Sequence, residues 1–259
     1  MKIIKPREWD ELLDRVVAIV RSAGEVVMSV YRQDFSVVEK ADASPVTEAD
    51  HLAEALIVPA LRALLPGVPV VAEESVSAGD LPQVGENFWL VDPLDGTKEF
   101  ISRNGEFTVN VALIENGLPV LGVVLAPAIG RLFAGVVGNG AFLEDSHGRR
   151  EISCKSCSDD GLVVIASRSH GDAAALEKFL AGRTIRDIRS AGSSLKLCLV
   201  ATGEADVYPR LGRTMEWDIA AGQAVLMAAG GSVDDLQGNP LLYGKPGFEN
   251  PHFAAWGIR

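Results

Sequence analysis

Four acidic residues at the ends of apolar runs are the residues of this chain best suited to chemistry. They are Glu73, Asp92, Asp95 and Asp218, and each follows a run that would deliver it to one edge of a sheet. Hard cations such as Mg²⁺ bind carboxylate and carbonyl oxygens and keep water ligands for a substrate phosphate. Two such ions, roughly 3.5–4 Å apart, clamp the attacking and leaving oxygens of a phosphate ester. The pattern therefore predicts a metal-dependent phosphoryl-transfer site.

The densest part of this predicted site is segment 89–100, Trp-Leu-Val-Asp-Pro-Leu-Asp-Gly-Thr-Lys-Glu-Phe. Asp92 ends an apolar run, and its two oxygens suit it to bridge two ions. A proline then fixes the backbone before Asp95. Gly96 and Thr97 begin a predicted helix, whose free N–H groups form a site for an anion such as phosphate.

Each carboxylate, taken alone, also fits a solvated side chain or a helix cap. Asp218 stands just before a predicted helix, where N-capping is a serious rival to metal binding, and Glu74 is predicted to be solvated. The sequence contains no P-loop and no Gly-x-Ser-x-Gly elbow. Its four histidines are too scattered for a zinc site. Carboxylate-bound Mg²⁺ is the option that the residues favour.

Composition and charge narrow the classes of partner and location. The formal net charge of -11 argues against binding to a nucleic-acid polymer or an anionic membrane. It is compatible with a phosphorylated substrate, because a bound metal inverts the local charge. No apolar stretch is long enough to span a bilayer, and no signal-like segment follows Met1. The predicted location is the cytoplasm, with loose association with the cytoplasmic face of the inner membrane left open.

The cysteines indicate a reducing compartment. The chain has three, a small and odd number, which disfavours a disulfide scaffold. Cys154 and Cys157 form an isolated C-x-x-C pair that lacks the partner residues of a zinc site and the context of a redox motif. We predict no functional role for the pair, with oxidative control of the surrounding region as the minority hypothesis.

Hydrophobic periodicity predicts an α+β first half and an α/β second half, consistent with stacked layers. Thr47 and Asp50 have the spacing of a helix cap, and Asn116-Gly117 predicts a hairpin. The polar, glycine-rich region 138–161 is predicted to be a crossover between two subdomains. The predicted helices cover 7–31, 47–65, 173–180, 194–201 and 219–229. The predicted strands cover 37–40, 68–72, 107–114, 120–126, 132–136, 163–166, 205–208 and 252–256.

Several separated motifs resemble those of the inositol monophosphatase superfamily of lithium-sensitive, Mg²⁺-dependent phosphatases. They are Glu73-Glu74, Asp92-Pro93-Leu94-Asp95-Gly96-Thr97, Trp217-Asp218-Ile219-Ala220-Ala221-Gly222 and Pro45-Val46-Thr47-Glu48-Ala49-Asp50. The similarity covers essentially the whole chain. It implies the layered α-β-α-β-α sandwich of the inositol monophosphatase-like sugar phosphatases. We assign 1–150 to an N-terminal α+β subdomain with most metal ligands and 151–259 to a C-terminal α/β subdomain with Asp218 and the specificity residues.

Further motifs resemble the 3′(2′),5′-bisphosphate nucleotidases within that superfamily. They are Lys98-Glu99-Phe100, Ala166-Ser167-Arg168-Ser169-His170, Gly192-Ser193-Ser194-Leu195-Lys196 and Tyr208-Pro209-Arg210. This resemblance implies hydrolysis of 3′-phosphoadenosine 5′-phosphate, a by-product of sulfate assimilation, to AMP and phosphate by metal-activated water. The alternatives are an inositol monophosphatase or a broad sugar-phosphate phosphatase and, from another class, a non-catalytic metal or nucleotide sensor. The resemblance leaves monomer and homodimer open.

The resemblance also implies a set of metal ligands for two or three Mg²⁺ ions. The first ion would be held by Glu73, Asp92 and the carbonyl of Leu94. The second would be held by Asp92, Asp95 and Asp218. A third, weaker ion would lie near Glu73, with Asp50 in its outer shell.

Catalytic and substrate-binding roles follow from the same resemblance. Glu73 with Thr97 would orient and deprotonate the attacking water, and Asp50 joins them as the third catalytic candidate. The amides of Gly96 and Thr97 would grip the scissile phosphate. Basic residues would neutralise the phosphate that is not cleaved, with surface charge as the alternative, and His170 would stack on a base or merely satisfy a loop. The basic residues are Lys98, Arg168, Lys196, Arg210 and Arg213. The full substrate-binding set is Glu73, Leu94, Asp95, Gly96, Thr97, Lys98, Arg168, His170, Ser193, Lys196, Arg210 and Asp218.

Overall fold

The computed structural model describes residues 6–39, 45–157, 159–167 and 173–258. The α-helices of these residues are α1 (Pro6–Tyr31), α2 (Glu48–Leu64), α3 (Glu73–Ser77), α4 (Thr97–Ile101), α5 (Ala173–Leu180), α6 (Leu195–Ala201) and α7 (Glu216–Ala228). A short 3-10 helix covers Pro246–Phe248. None of the described helices combines the length and apolarity needed to cross a membrane.

The β-strands follow the same chain order. They are β1 (Val37–Glu39), β2 (Pro45–Thr47), β3 (Val70–Ala72), β4 (Asn87–Asp95), β5 (Thr108–Glu115), β6 (Leu118–Ala126), β7 (Arg131–Val136), β8 (Gly140–Asp145), β9 (Gly148–Ile152), β10 (Leu162–Ser167), β11 (Ile185–Ala191), β12 (Val207–Arg210), β13 (Ser232–Asp235) and β14 (Phe253–Trp256). The predicted strand at 37–40 is confirmed over β1, and Lys40 lies outside the described residues.

The first two helices form one outer layer, as their periodicity predicts. The apolar residues of α1 recur at helical spacing and are buried, with Val16 and Val20 fully so. Helix α2 begins at the predicted cap, where the Thr47 N–H donates to Asp50 Oδ2 at 2.8 Å. It runs past Pro59 as a single helix. Both helices pack on one face of the larger sheet through a shared apolar cluster.

The larger sheet has seven strands in the order β3-β4-β5-β6-β7-β8-β9. Among these described strands, only the β3–β4 pair is parallel. The predicted hairpin between β5 and β6 is confirmed, with φ of 51° at Asn116 and 76° at Gly117. Positive φ at both positions gives the turn a twist that matches the flanking strands.

The crossover prediction for 138–161 is wrong over most of its length. Residues 140–152 form the β8–β9 hairpin, which extends the seven-stranded sheet. The alternate residues Ala141 and Leu143 of β8 are buried, and Gly140 and Gly148 supply positive φ at the turns. Glycines serve tight turns as well as linkers, so their frequency alone does not distinguish the two. The 150/151 boundary falls inside β9, and the division into two subdomains stays a prediction.

The second sheet has five strands in the order β11-β10-β12-β14-β13. Helices α6 and α7 lie between the two sheets, and α5 packs on the outer face through the Phe179–Trp256 ring contact. Gly122 of β6 allows α7 to approach closely, because a Cβ there would lie 2.3 Å from the Ala221 carbonyl oxygen. The predicted α-β-α-β-α layering is therefore confirmed.

Candidate active site

Three carboxylates from three separate elements meet at one end of the larger sheet. Glu73 begins α3, directly after β3, and Asp92 lies in β4, directly beside it in the parallel pair. Asp218 lies in the first turn of α7. One oxygen of each residue lies within 4.8 Å of the others. The ends of β3 and β4 thus place two carboxylates side by side, and α7 brings the third from the layer between the sheets.

Asp95 approaches the same centre with a different set of contacts. The β4–β5 register shifts between Asp92 and Asp95, so the strand bulges between the two carboxylates. Asp95 Oδ2 accepts the Ser194 N–H at 2.7 Å, and it lies 3.4 Å from both Thr108 Oγ1 and Asn110 Nδ2. Asp95 is not part of the triad within 4.8 Å. The bulge therefore points the two aspartates of the motif at different partners.

The electrostatics of the cluster fit a bound cation. Burial raises the pKa of Asp92 well above its ordinary value, and the charges of Glu73, Asp95 and Asp218 raise it further. Burial and the charges of Asp95 and Glu73 likewise raise the pKa of Asp218. Buried carboxylates with mutual repulsion need protons or metal to offset their charge. The oxygen-only donor set is the one that Mg²⁺ prefers.

Thr97 lies between the cluster and Asp50. Its hydroxyl oxygen is 3.4 Å from Asp50 Oδ1 and 3.4 Å from the Leu94 carbonyl oxygen. Asp50 is buried, and its other oxygen accepts both the N–H and the hydroxyl of Thr47 at 2.8 Å. The helix cap predicted for α2 therefore also fixes a carboxylate beside Thr97. The catalytic roles of Glu73, Thr97 and Asp50 stay predictions.

The turn before α4 requires glycine. Gly96 has φ of +90°, and a Cβ there would lie 2.2 Å from the Ser193 hydroxyl oxygen. That hydroxyl contacts the carbonyl oxygens of Asp95 at 2.9 Å and Glu106 at 2.7 Å. The turn from β11 to α6 thus packs directly against segment 92–97, the motif predicted to bind metal.

A cavity of about 540 Å³ opens over these residues. Asp92 and Leu94 are almost completely buried behind it. The predicted site residues that line the cavity are Glu73, Asp95, Gly96, Thr97, Lys98, Ser193, Lys196, Arg210, Arg213 and Asp218. Arg168 and His170 lie outside the described residues.

Two cations in the cavity wall are buried rather than on the surface. Lys196 is 6% exposed, donates from Nζ to the Ser193 carbonyl oxygen at 2.7 Å, and has its pKa lowered to about 8 by burial, against the opposing charge of Asp95. Arg210 is 9% exposed and donates from Nη2 to the Arg213 carbonyl oxygen at 2.7 Å. Among the described residues, buried Arg210 Nε and Thr214 Oγ1 have no hydrogen-bond partner. Such groups need a partner of opposite polarity, as an anionic ligand would be.

Two buried glutamates near the site differ from what the sequence predicts: Glu74 is not solvated, and Glu54 has a structural role that was not predicted. Glu74 is 6% exposed, so the solvated assignment is wrong. Its N–H donates to Glu54 Oε2 at 2.8 Å, and the Ser75 N–H donates to Glu54 Oε1 at the same distance. Glu54 therefore holds the first turn of α3 and with it Glu73. A sequence signal for this role exists: Asp50, Glu54 and Ile57 share one helical face, and a carboxylate within a buried face needs a partner.

Neither thiol of the Cys154 and Cys157 pair lies in an environment that would activate it as a nucleophile. Cys154, Cys157 and Cys198 are all free. Burial raises the pKa of Cys154 to about 11, and burial also raises the pKa of Cys157. A protonated thiol is a poor nucleophile, so this environment favours the absence of a functional role, which stays a prediction.

Comparison with known proteins agrees with the fold and the motif set. Residues 8–256 match the model of the inositol monophosphatase family, and the chain belongs to this family. An Escherichia coli (strain K12) protein named 3′(2′),5′-bisphosphate nucleotidase CysQ is 47% identical over 245 residues, which cover 93% of this chain and 98% of that protein. A protein of the same name from Haemophilus influenzae is 32% identical and covers 96% of this chain and 93% of its own.

Solved structures of proteins similar in sequence have the same fold as this chain. The crystal structure of CysQ from Bacteroides thetaiotaomicron has a TM-score of 0.80 and 38% identity, and covers 95% of this chain and 97% of that one. The structure of an inositol monophosphatase from Anabaena has a TM-score of 0.77 and 28% identity, and covers 96% of this chain and 92% of that one.

Proposed function

We propose that this chain is a Mg²⁺-dependent 3′(2′),5′-bisphosphate nucleotidase that hydrolyses 3′-phosphoadenosine 5′-phosphate to AMP and phosphate. The observation that carries the proposal is the pairing of two opposite charge sets in one cavity. The carboxylates Glu73 and Asp218 line the same cavity as the buried cations Lys196 and Arg210. The carboxylates suit a metal-bound phosphate, and the buried cations suit a second phosphate. The names of the relatives supply the substrate class.

The metal ligands follow the chemistry of the donor set. Glu73, Asp92 and the Leu94 carbonyl would hold one Mg²⁺, and Asp92, Asp95 and Asp218 would hold another. When bound, the ions neutralise phosphate charge and lower the pKa of a water ligand. The raised pKa values of Asp92 and Asp218 support this assignment, because burial and carboxylate repulsion disfavour their ionised forms until positive charge is present.

The residues of the chain orient the reacting groups. Thr97 can donate its hydroxyl proton to Asp50, which leaves its lone pairs to accept a hydrogen bond from water. Glu73, on the same cavity wall, would then orient that water and take up its proton. The backbone amides of Gly96 and Thr97 would bind the scissile phosphate, where they stabilise charge that develops during transfer.

The second phosphate would lie against the buried cations. Arg210 offers a planar guanidinium suited to bidentate contact with phosphate oxygens. Its unpaired Nε and the unpaired Thr214 hydroxyl are donors that a phosphate would satisfy. Lys196 adds a positive charge whose desolvation is partly offset by Asp95. Lys98 and Arg213 line the same cavity, and Arg213 also pairs with Glu249 at 3.2 Å.

Phosphate release from a panel of monoesters tests the proposal. We expect Mg²⁺-dependent, Li⁺-inhibited turnover, with 3′-phosphoadenosine 5′-phosphate preferred over inositol 1-phosphate. Preference for inositol 1-phosphate would instead favour the inositol monophosphatase alternative. Asp95→Asn is expected to abolish turnover without unfolding the chain; unchanged turnover would refute the metal assignment, and a wild-type chain that binds nucleotide without hydrolysis would favour a sensor.

A charge substitution separates the two phosphate sites. Arg210→Met is expected to raise KM for the bisphosphate about tenfold or more, the cost of one charge-assisted contact, with little change for a substrate that has one phosphate. Arg150→Met is the matched control, because Arg150 is exposed, pairs with Asp145 at 2.8 Å and does not line this cavity. Equal losses for both substrates in Arg210→Met would contradict the assigned role.

A further inference from the structure

Ser194 connects two carboxylates that come from opposite halves of the chain. Its backbone N–H donates to Asp95 Oδ2 at 2.7 Å. Its hydroxyl donates to the carbonyl oxygen of Asp218 at 2.5 Å and accepts from Asn110 Nδ2 at 3.2 Å. The residue is 2% exposed, so water competes little for these groups. One serine thus contacts β4, β5 and α7 at the place where they meet.

The two contacts act on different parts of their targets. The bond to Asp95 fixes the side-chain carboxylate itself. The bond to Asp218 fixes its backbone, while the Asp218 side chain is held separately by the Met215 N–H at 2.9 Å. Both aspartates belong to the proposed second-ion set, Asp92, Asp95 and Asp218. Glu73, by contrast, belongs to the first turn of α3, which Glu54 holds.

We propose that Ser194 is the positioning residue of the second-ion set and sets the distance between Asp95 and Asp218. The inference rests on the proposed function, and it names a residue that neither touches the phosphate ester nor coordinates metal. Its hydroxyl keeps the first turn of α7 against the β4 bulge, because the serine stands at the start of α6 between them. Loss of the hydroxyl leaves the N–H contact with Asp95 intact but removes the contact that fixes the Asp218 backbone. The two ligands then no longer hold a common geometry.

The test measures binding of Mg²⁺ alone, by titration calorimetry without substrate, alongside thermal unfolding in EDTA. Ser194→Ala is expected to weaken the second of two binding events by about tenfold or more, the usual effect of removing a partner of a metal ligand. Ser194→Thr, which keeps the hydroxyl, is expected to restore most of that affinity. Ser194→Cys fills the same space with a weak donor and is expected to behave like Ser194→Ala.

Ser232→Ala is the matched control, because its hydroxyl contacts Asp234 at 3.3 Å, away from the site. Unchanged Mg²⁺ binding in folded Ser194→Ala or Ser194→Cys would overturn the inference, even if the unfolding temperature in EDTA fell. An equal loss of affinity in Ser194→Thr would also overturn it. A wild-type chain that binds no Mg²⁺ would overturn the proposed function as well, so the two failures are distinguishable.

Discussion

Asp92→Asn is predicted to stabilise the metal-free protein while removing its response to Mg²⁺. Asp92 is 1% exposed, and burial together with the charges of Glu73, Asp95 and Asp218 raises its pKa. Asparagine has nearly the same shape and retains an oxygen to accept the Leu94 N–H, which lies 3.0 Å from Asp92 Oδ1. The substitution therefore removes charge without opening a cavity.

The expected gain in the free energy of unfolding follows from the distances between the carboxylate oxygens of the cluster. The ligand oxygens of Glu73, Asp92 and Asp218, one from each residue, lie at most 4.8 Å apart. Two full charges at that distance repel by about 3.5 kcal/mol at an effective dielectric constant of about 20, and by about 0.9 kcal/mol in water. Protonation already relieves part of this repulsion, so we expect a gain of about 1–2 kcal/mol, as for other stabilising substitutions at active sites. For a chain of this size that is an increase in Tm of about 2–8 °C.

The metal-free wild-type protein is predicted to lose stability as pH rises, because of Asp92. The pKa of Asp92 is higher in the folded protein than its ordinary value of 3.8, so the folded state binds more protons than the unfolded state over the interval between them. The stability of metal-free wild type therefore falls as pH rises from about 4 through the folded-state pKa. Asp92→Asn should flatten that decline.

Thermal unfolding in EDTA at several pH values, repeated with saturating Mg²⁺, measures these effects. Mg²⁺ at 100 times its Kd should stabilise wild type by about 2.7 kcal/mol and leave the variant nearly unchanged. Asp206→Asn is the control, because Asp206 is a buried carboxylate outside the cluster that accepts the Val163 N–H at 2.6 Å. It should gain no stability in EDTA and should keep the Mg²⁺ response. A lower Tm of Asp92→Asn in EDTA would contradict the predicted charge repulsion, and a full Mg²⁺ response would contradict the role of Asp92 as a ligand.

Three further predictions concern single positions. Gly96→Ala should lower kcat/KM about 100-fold, because a misplaced turn of about 1 Å has that effect and the new Cβ would lie 2.2 Å from Ser193 Oγ; phosphate-release kinetics check it. Glu216→Gln should lower the free energy of unfolding in urea by about 1–3 kcal/mol, because the fully buried carboxylate accepts the Gly244 and Lys245 N–H groups. Mild oxidant should leave turnover unchanged, since burial raises the pKa of Cys154 to about 11; a loss of activity that Cys154→Ser prevents would contradict this.

Elements with a regular pattern were predictable from the sequence. In β5, Val109, Val111 and Leu113 face α1 and α2, whereas Ala112 and Ile114 face the layer between the sheets. A strand buried on both faces gives an unbroken apolar run, and its length and flanking turns identify it. Helices α1 and α2 each carry a one-sided apolar stripe, which identifies both as helices, and the cap at Thr47 also identifies the start of α2.

Elements whose residues face solvent were not predictable in the same way. Strand β11 is an edge strand with a charged sequence, Ile-Arg-Asp-Ile-Arg-Ser-Ala, and most of its residues are exposed. Among the described strands it pairs only with β10, so its place in the sheet depends on a neighbour rather than on its own pattern. Strands β13 and β9 are also edge strands, and each pairs with a single described neighbour.

The residue types in the sequence are enough to predict which atoms the candidate site offers. Glu73, Asp92, Asp95 and Asp218 are oxygen donors at the ends of apolar runs, and ligand chemistry depends on residue type. How these donors are held depends on contacts between distant parts of the chain. Ser194 reaches Asp95 across 99 residues of chain and Asp218 across 24. Such contacts have no local signature, because a hydrogen bond between distant residues depends on how the layers pack, not on the spacing of its partners in the sequence.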